Sequence, residues 1–128
     1  MKLGGILIYV KDVERSVAFY NNILCDVSIK RFGVEFAIVA LENSSVLYIH
    51  RDPEKFEGYL EGLERRQTRG DGAIIHFEVS DLRGWCKLCE EAQISISMGP
   101  VAQPFGRTQC YLYDPDGYNI VIEEMVTN

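Results

Sequence analysis

The chain repeats itself. Ile8-Tyr9-Val10-Lys11-Asp12-Val13 returns as Phe77-Glu78-Val79-Ser80-Asp81-Leu82, with Val79 standing 69 residues after Val10. Self-similarity at a fixed spacing constrains a fold more than any local preference, because each copy must form the same supersecondary unit. In both copies an alternating apolar stretch runs into an aspartate. Aspartate suits a helix start because its carboxylate accepts from the orphan backbone N–H groups of the first turn. After Asp12, Val13, Val17, Tyr20 and Leu24 fall at helical spacing; after Asp81, so do Leu82, Trp85, Cys86, Cys89 and Ala92. Each half therefore begins strand, then helix.

Three strand-like stretches complete each half. Val27 to Arg31, Val34 to Leu41 and Ser45 to His50 follow the first helix, with turns at Phe32-Gly33 and Glu42-Asn43-Ser44. Ile94 to Met98, Thr108 to Tyr113 and Tyr118 to Glu124 follow the second, and Asp114-Pro115-Asp116-Gly117 reads as a hairpin turn. The expectation is an α+β fold of two βαβββ modules in one domain, module one over about 1–50 and module two over about 73–128. Between them, residues 51–72 are charged and glycine-containing, yet Phe56, Tyr59, Leu60 and Leu63 keep helical spacing. That predicts a short helix docked loosely beside the modules.

Composition narrows the function classes. With 128 residues, 47% hydrophobic and 25% charged, the chain matches a globular protein of one compact unit rather than a disordered or fibrous one. The formal charge of −6 is the wrong sign for phosphate backbones or anionic lipid, so neither nucleic acid nor membrane is expected as a partner. No apolar run approaches spanning length, and Met1-Lys2-Leu3-Gly4-Gly5 lacks a signal peptide's apolar stretch, so a cytoplasmic location is expected. Cys25, Cys86, Cys89 and Cys110 then read as reduced thiols.

Val10 through Tyr20, and Pro104-Phe105-Gly106-Arg107 through Tyr113-Asp114-Pro115-Asp116-Gly117-Tyr118, resemble the signatures of the vicinal oxygen chelate superfamily. That superfamily includes glyoxalase I, fosfomycin resistance enzymes, extradiol dioxygenases and bleomycin resistance proteins. The likeness spans both halves. It implies two modules whose mixed sheets curl around a cleft, completed by a homodimer. Strand alternation then assigns faces. Ile6, Ile8 and Val10, Leu47 and Ile49, Ile75, Phe77 and Val79, and Ile120 and Ile122 pack under the helices. The cleft receives Tyr9, Tyr48, His50, His76, Glu78 and Glu123 as an aromatic and acidic ligand-binding lining, with Ile74, Asn119 and Val121 on the same faces.

Metal-dependent members place His or Glu ligands on four strands, and the resemblance aligns those positions with Gly5, Tyr48, Ile74 and Val121. Glycine, isoleucine and valine offer no donor atom, so no metal cofactor is expected. One alternative stands two residues further along the same faces, where His50, His76 and Glu123 make a two-His, one-carboxylate set for a divalent ion. It requires strands from the two modules to bring the three side chains together.

Other constellations carry less. Trp85-Cys86-Lys87-Leu88-Cys89 has C-x-x-C spacing, but both thiols lie past the first turn on the apolar stripe, which reads as core. Cys25 and Cys110 are isolated in sequence. Arg65, Arg66 and Arg69 beside Glu61 and Glu64 read as a solvated, internally paired face, with an anchor for a substrate anion as the alternative. The combined reading is a metal-free binder or sequesterer of an organic ligand, cationic and aromatic by the character of the cleft, similar to the bleomycin resistance branch and its role in antibiotic resistance. The rivals are a metal-dependent lyase, isomerase or dioxygenase, a metal-free isomerase using His76 or Glu123 as general base, and a structural dimer with an empty cleft.

Overall fold

The structure is a computed structural model that describes residues 1–55 and 69–125. The first module runs β1 (Ile6–Val10), α1 (Val13–Ile23), β2 (Ser28–Phe32), β3 (Phe36–Ala40), a 3-10 turn at Glu42–Ser44, and β4 (Val46–Arg51). The second runs β5 (Ile75–Glu78), α2 (Leu82–Glu91), β6 (Met98–Ala102), β7 (Arg107–Tyr113) and β8 (Asn119–Met125). Asp12 and Asp81 cap the helices as the sequence predicts, accepting from the backbone N–H of Arg15 and of Gly84. Among the described residues no helix is long and apolar enough to cross a membrane.

The two sheets have one design. Their orders are β1-β4-β3-β2 and β5-β8-β7-β6, and neither closes on itself. In each, the first strand pairs in parallel with the last, and the remaining pairs are antiparallel. The repeat extends to register, for Ile6 faces Leu47 as Ile75 faces Ile120. It extends to backbone conformation as well, since Ser44 (φ 66°) ends one last-strand turn where Gly117 (φ 92°) ends the other. A left-handed residue is easy for glycine and strained for serine, so the first module holds this shape against local preference.

Buried residues of both modules form one cluster under α1 and α2. Tyr20 of α1 lies 6.4 Å from the Phe77 ring, and Trp85 Nε1 donates to the Ile23 carbonyl at 2.6 Å. Two expectations need correction, and one residue is more covered than its face suggests. Ile6, assigned to the core, is exposed because β1 is an edge strand and leaves its start uncovered. Val121 keeps the face assigned to it, opposite His76 and Tyr111, but is fully buried there. The strand expected over Ile94 to Met98 begins where that span ends. Ile94 and Ile96 spend their apolar side chains on the core, and ladder bonding to β7 starts only at Ser97, whose N–H donates to the Tyr111 carbonyl. The helix expected from Phe56, Tyr59, Leu60 and Leu63 lies outside the described residues, as do Arg65 and Arg66.

Candidate functional site

Alternation along β5, β8 and β7 puts a polar set on the face away from the helices. Glu78 registers with Glu123, and Glu123 with Gln109. The buried Glu123 carboxylate is the hub. His76 donates from Nδ1 to its Oε1, Gln109 Nε2 donates to the same oxygen at 3.4 Å, and an Arg107 guanidinium N–H donates to its Oε2 at 2.8 Å. The same guanidinium nitrogen reaches Glu78 at 3.2 Å. Tyr111 donates its hydroxyl to Gln109 Oε1 at 2.5 Å and accepts from Gln103 at 3.4 Å, which extends the chain of bonds outward.

Burial alone would raise the Glu123 pKa. The hydrogen bond and charge of His76, followed by Arg107 and Gln109, outweigh it and hold the carboxyl below the usual range. Glu123 is therefore an ionised, fully partnered group. The half-exposed His76 ring, fixed at Nδ1, leaves Nε2 as the nitrogen available to a ligand.

The first sheet presents aromatic rings instead. Phe36 stacks on Tyr48 with centroids 6.0 Å apart, His50 lies 5.7 Å from Phe36, and Tyr9 meets His50 edge-on at 5.6 Å. His50 donates from Nδ1 to the Arg51 carbonyl at 2.6 Å, which settles its tautomer and ring orientation. Tyr48 owes its position to Gly5. A Cβ at residue 5 would stand 2.6 Å from the Val46 carbonyl oxygen and 2.9 Å from Tyr48 Cε2, so the ring occupies the space of a side chain.

The structure thus gathers the six sequence-named residues into two sets. His76, Glu78 and Glu123 are knit through Arg107, while Tyr9, Tyr48 and His50 are knit through Phe36. Among the described residues no group of three His, Cys, Asp or Glu side chains is placed to hold a metal ion, so His50, His76 and Glu123 do not share a centre. Arg107 pairs with both carboxylates of the lining, one guanidinium for two negative charges. Arg107, Gln109 and Tyr111 alternate with the buried Cys110 and Leu112, and that alternation is the signal that identifies them.

Two other motifs find their places. Cys110 is not isolated in space, for its Sγ lies 3.4 Å from Cys86 Sγ. Burial pushes the Cys110 thiol up to about 12 and the Cys89 thiol up to about 11, which makes both inert packing groups at neutral pH. Arg69 is neither solvated nor free for an anion. It forms a bidentate pair with Asp52, donates to the Tyr9 carbonyl at 2.6 Å and lies 3.8 Å from Asp116.

Comparison with known proteins agrees with this architecture. A family model described as the Glyoxalase/Bleomycin resistance protein/Dioxygenase superfamily matches residues 2–122. No curated protein matches. Among solved structures, a virulence protein from Salmonella typhimurium superposes with a TM-score of 0.75 at 25% identity over 98% of each chain. A glyoxalase/dioxygenase from Nostoc punctiforme gives 0.74 at 22% identity, over 98% of this chain and 92% of that one. A lactoylglutathione lyase from Agrobacterium tumefaciens gives 0.73 at 16%, over 96% and 92%. The last two likenesses concern the fold alone.

Proposed function

Because the chain belongs to the glyoxalase/bleomycin resistance protein/dioxygenase superfamily, we propose that it binds a small organic molecule on these sheet faces without enlisting a metal ion. The observation that carries this reading is the Gly5–Tyr48 contact. Where the superfamily's first-strand ligand would stand, this chain has no side chain, and the Tyr48 ring fills the space. Ile74 and Val121 at two further positions have no donor atoms.

The ligand implied has a flat ring and hydrogen-bonding groups. Tyr9, Tyr48 and His50 with Phe36 offer apolar faces, and His76 with the Arg107-bridged Glu78 and Glu123 offers hydrogen-bonding partners. Exposed Leu7 and Ile74 on the same faces add apolar area and suit closure by a second copy of the chain. Holding the ligand unchanged, as in sequestration, needs nothing further.

The test is metal analysis of protein purified without chelators, followed by a thermal-shift screen with and without EDTA. The expected outcome is binding of ring-bearing compounds that EDTA does not alter and that Tyr48→Ala weakens by about 0.5–1.5 kcal/mol, the worth of one aromatic contact. A stoichiometric metal whose removal abolishes binding would overturn the reading.

One observation favours a second reading, proton transfer without a metal. The ionised Glu123 orients His76 as carboxylates orient general-base histidines. Exchange of deuterium from solvent into a bound carbonyl compound, lost in His76→Gln, would place catalysis ahead of sequestration.

A further inference from the structure

The repeat creates two equivalent seams between the modules, and the described residues fill them unequally. At the first, the end of β1 and the start of α1 meet the turn before β8. Asp116 accepts from the Lys11 N–H at 3.0 Å and from Ser16 Oγ at 3.4 Å, and Arg15 reaches it at 3.5 Å. Tyr20 donates to Asp114 at 2.6 Å, and Tyr118 donates to the Tyr9 carbonyl at 2.8 Å. Arg69 enters this seam between Asp52 and Asp116.

At the second seam, the end of β5 and the start of α2 meet the turn before β4. The registers pair each position with its counterpart: Gly84 stands for Arg15, Cys89 for Tyr20, Leu41 for Asp114 and Ser45 for Tyr118. Every replacement is smaller or less polar. Among the described residues no lysine or arginine lines the space that corresponds to Arg69's in the first seam, and a crevice of about 650 Å³ opens there.

We propose that this crevice binds an organic cation of guanidinium or amidinium type carrying an apolar body. Leu24, Leu41, Trp85 and Leu88 supply apolar walls. Asp26 and Glu42 border the same space with no ion-pair partner among the described residues, beside Asp81 and Glu78, which are already engaged with the Gly84 N–H and with Arg107. In the first seam a guanidinium is held by Asp52, Asp116 and the carbonyl of Tyr9; the registers put Met125 and Asn43 in place of those two carboxylates, so the second seam draws its acids, Asp26 and Glu42, from other positions. The counterpart of that carbonyl is the carbonyl of Glu78, at the border of the crevice. This site is separate from the aromatic face of Tyr9, Tyr48 and His50, and shares His76 and Glu78 with the network of Glu123 and Arg107.

Trp85 is the sole tryptophan and lines the crevice, so its fluorescence reports occupancy directly. Titration of the full chain with hexylguanidinium should give a saturable change that weakens with salt, and the neutral isostere hexylurea should bind at least about tenfold more weakly. The Asp26→Asn, Glu42→Gln double variant should weaken hexylguanidinium about fivefold, and Tyr48→Ala should leave it unchanged. Ser45→Tyr, which restores the counterpart of Tyr118, should block the change while circular dichroism remains that of the parent. Equal binding of the neutral isostere, no saturable signal, or a double variant that behaves as the parent would each overturn the proposal. Loss of binding in Tyr48→Ala would transfer the ligand to the aromatic face instead.

Discussion

Tyr20 donates its hydroxyl to Asp114 with both groups buried, and this bond joins the first helix to the second sheet. Burial first, then the charge of Asp114, push the phenol far above its ordinary value. The sign of the consequence follows from linkage. The unfolded phenol ionises from about pH 10, while the folded one stays neutral, so this contribution is whole below pH 10 and falls by about 1.4 kcal/mol per pH unit above it. Tyr20→Phe should cost about 1–3 kcal/mol in urea unfolding at neutral pH, because Asp114 loses a buried donor, and should remove that part of the alkaline slope. Glu123 acts in the opposite sense. Its lowered pKa contributes stability that is present above the ordinary carboxylate range and is lost as pH falls through the folded value, so Glu123→Gln should flatten the acid limb of the stability curve.

The elements differ in how far the sequence discloses them. Asp12 and Asp81 mark both helix starts because a cap is a local device, legible from one side chain and its distance to an apolar stripe. The faces of β1, β4, β5 and β8 are legible from alternation. The sixth strand is not, because Ile94 and Ile96 alternate like a strand while serving the core as a connection, and apolar spacing does not distinguish packing from ladder bonding. The turn before β8 is legible as a turn but not as a clamp, since the partners of Asp116 lie about a hundred residues away at Lys11, Arg15 and Ser16. Arg107 escapes for the same reason, for its carboxylates are local only in the folded sheet. Clamp and surface pairs should differ sharply on substitution. Asp116→Ala removes a fully buried carboxylate with several charged and polar partners and should cost about 3 kcal/mol, whereas Glu35→Gln, on an exposed pair with Arg51, should cost less than about 1. Equal losses in chemical denaturation would show that the seam is not a clamp.

As a whole molecule the chain has two open sheets, each with two edge strands. Exposed apolar side chains lie along them, with Ile6 and Leu7 on β1, Phe32 on β2 and Met98 on β6. Uncovered edges with apolar character favour pairing with another copy. Sedimentation at tens of micromolar should show a dimer, and Leu7→Lys should shift it toward monomer; a monomeric parent would leave the sheet faces without the closure invoked for ligand binding. The unequal seams also have a mechanical meaning. The halves are fastened along one side by Asp116, Arg69 and Tyr118, and along the other by the bond from Trp85 to the Ile23 carbonyl beside the crevice. A backbone that repeats itself thus carries fastenings that do not, and a load drawn between the halves should part them first along the side with fewer polar bonds.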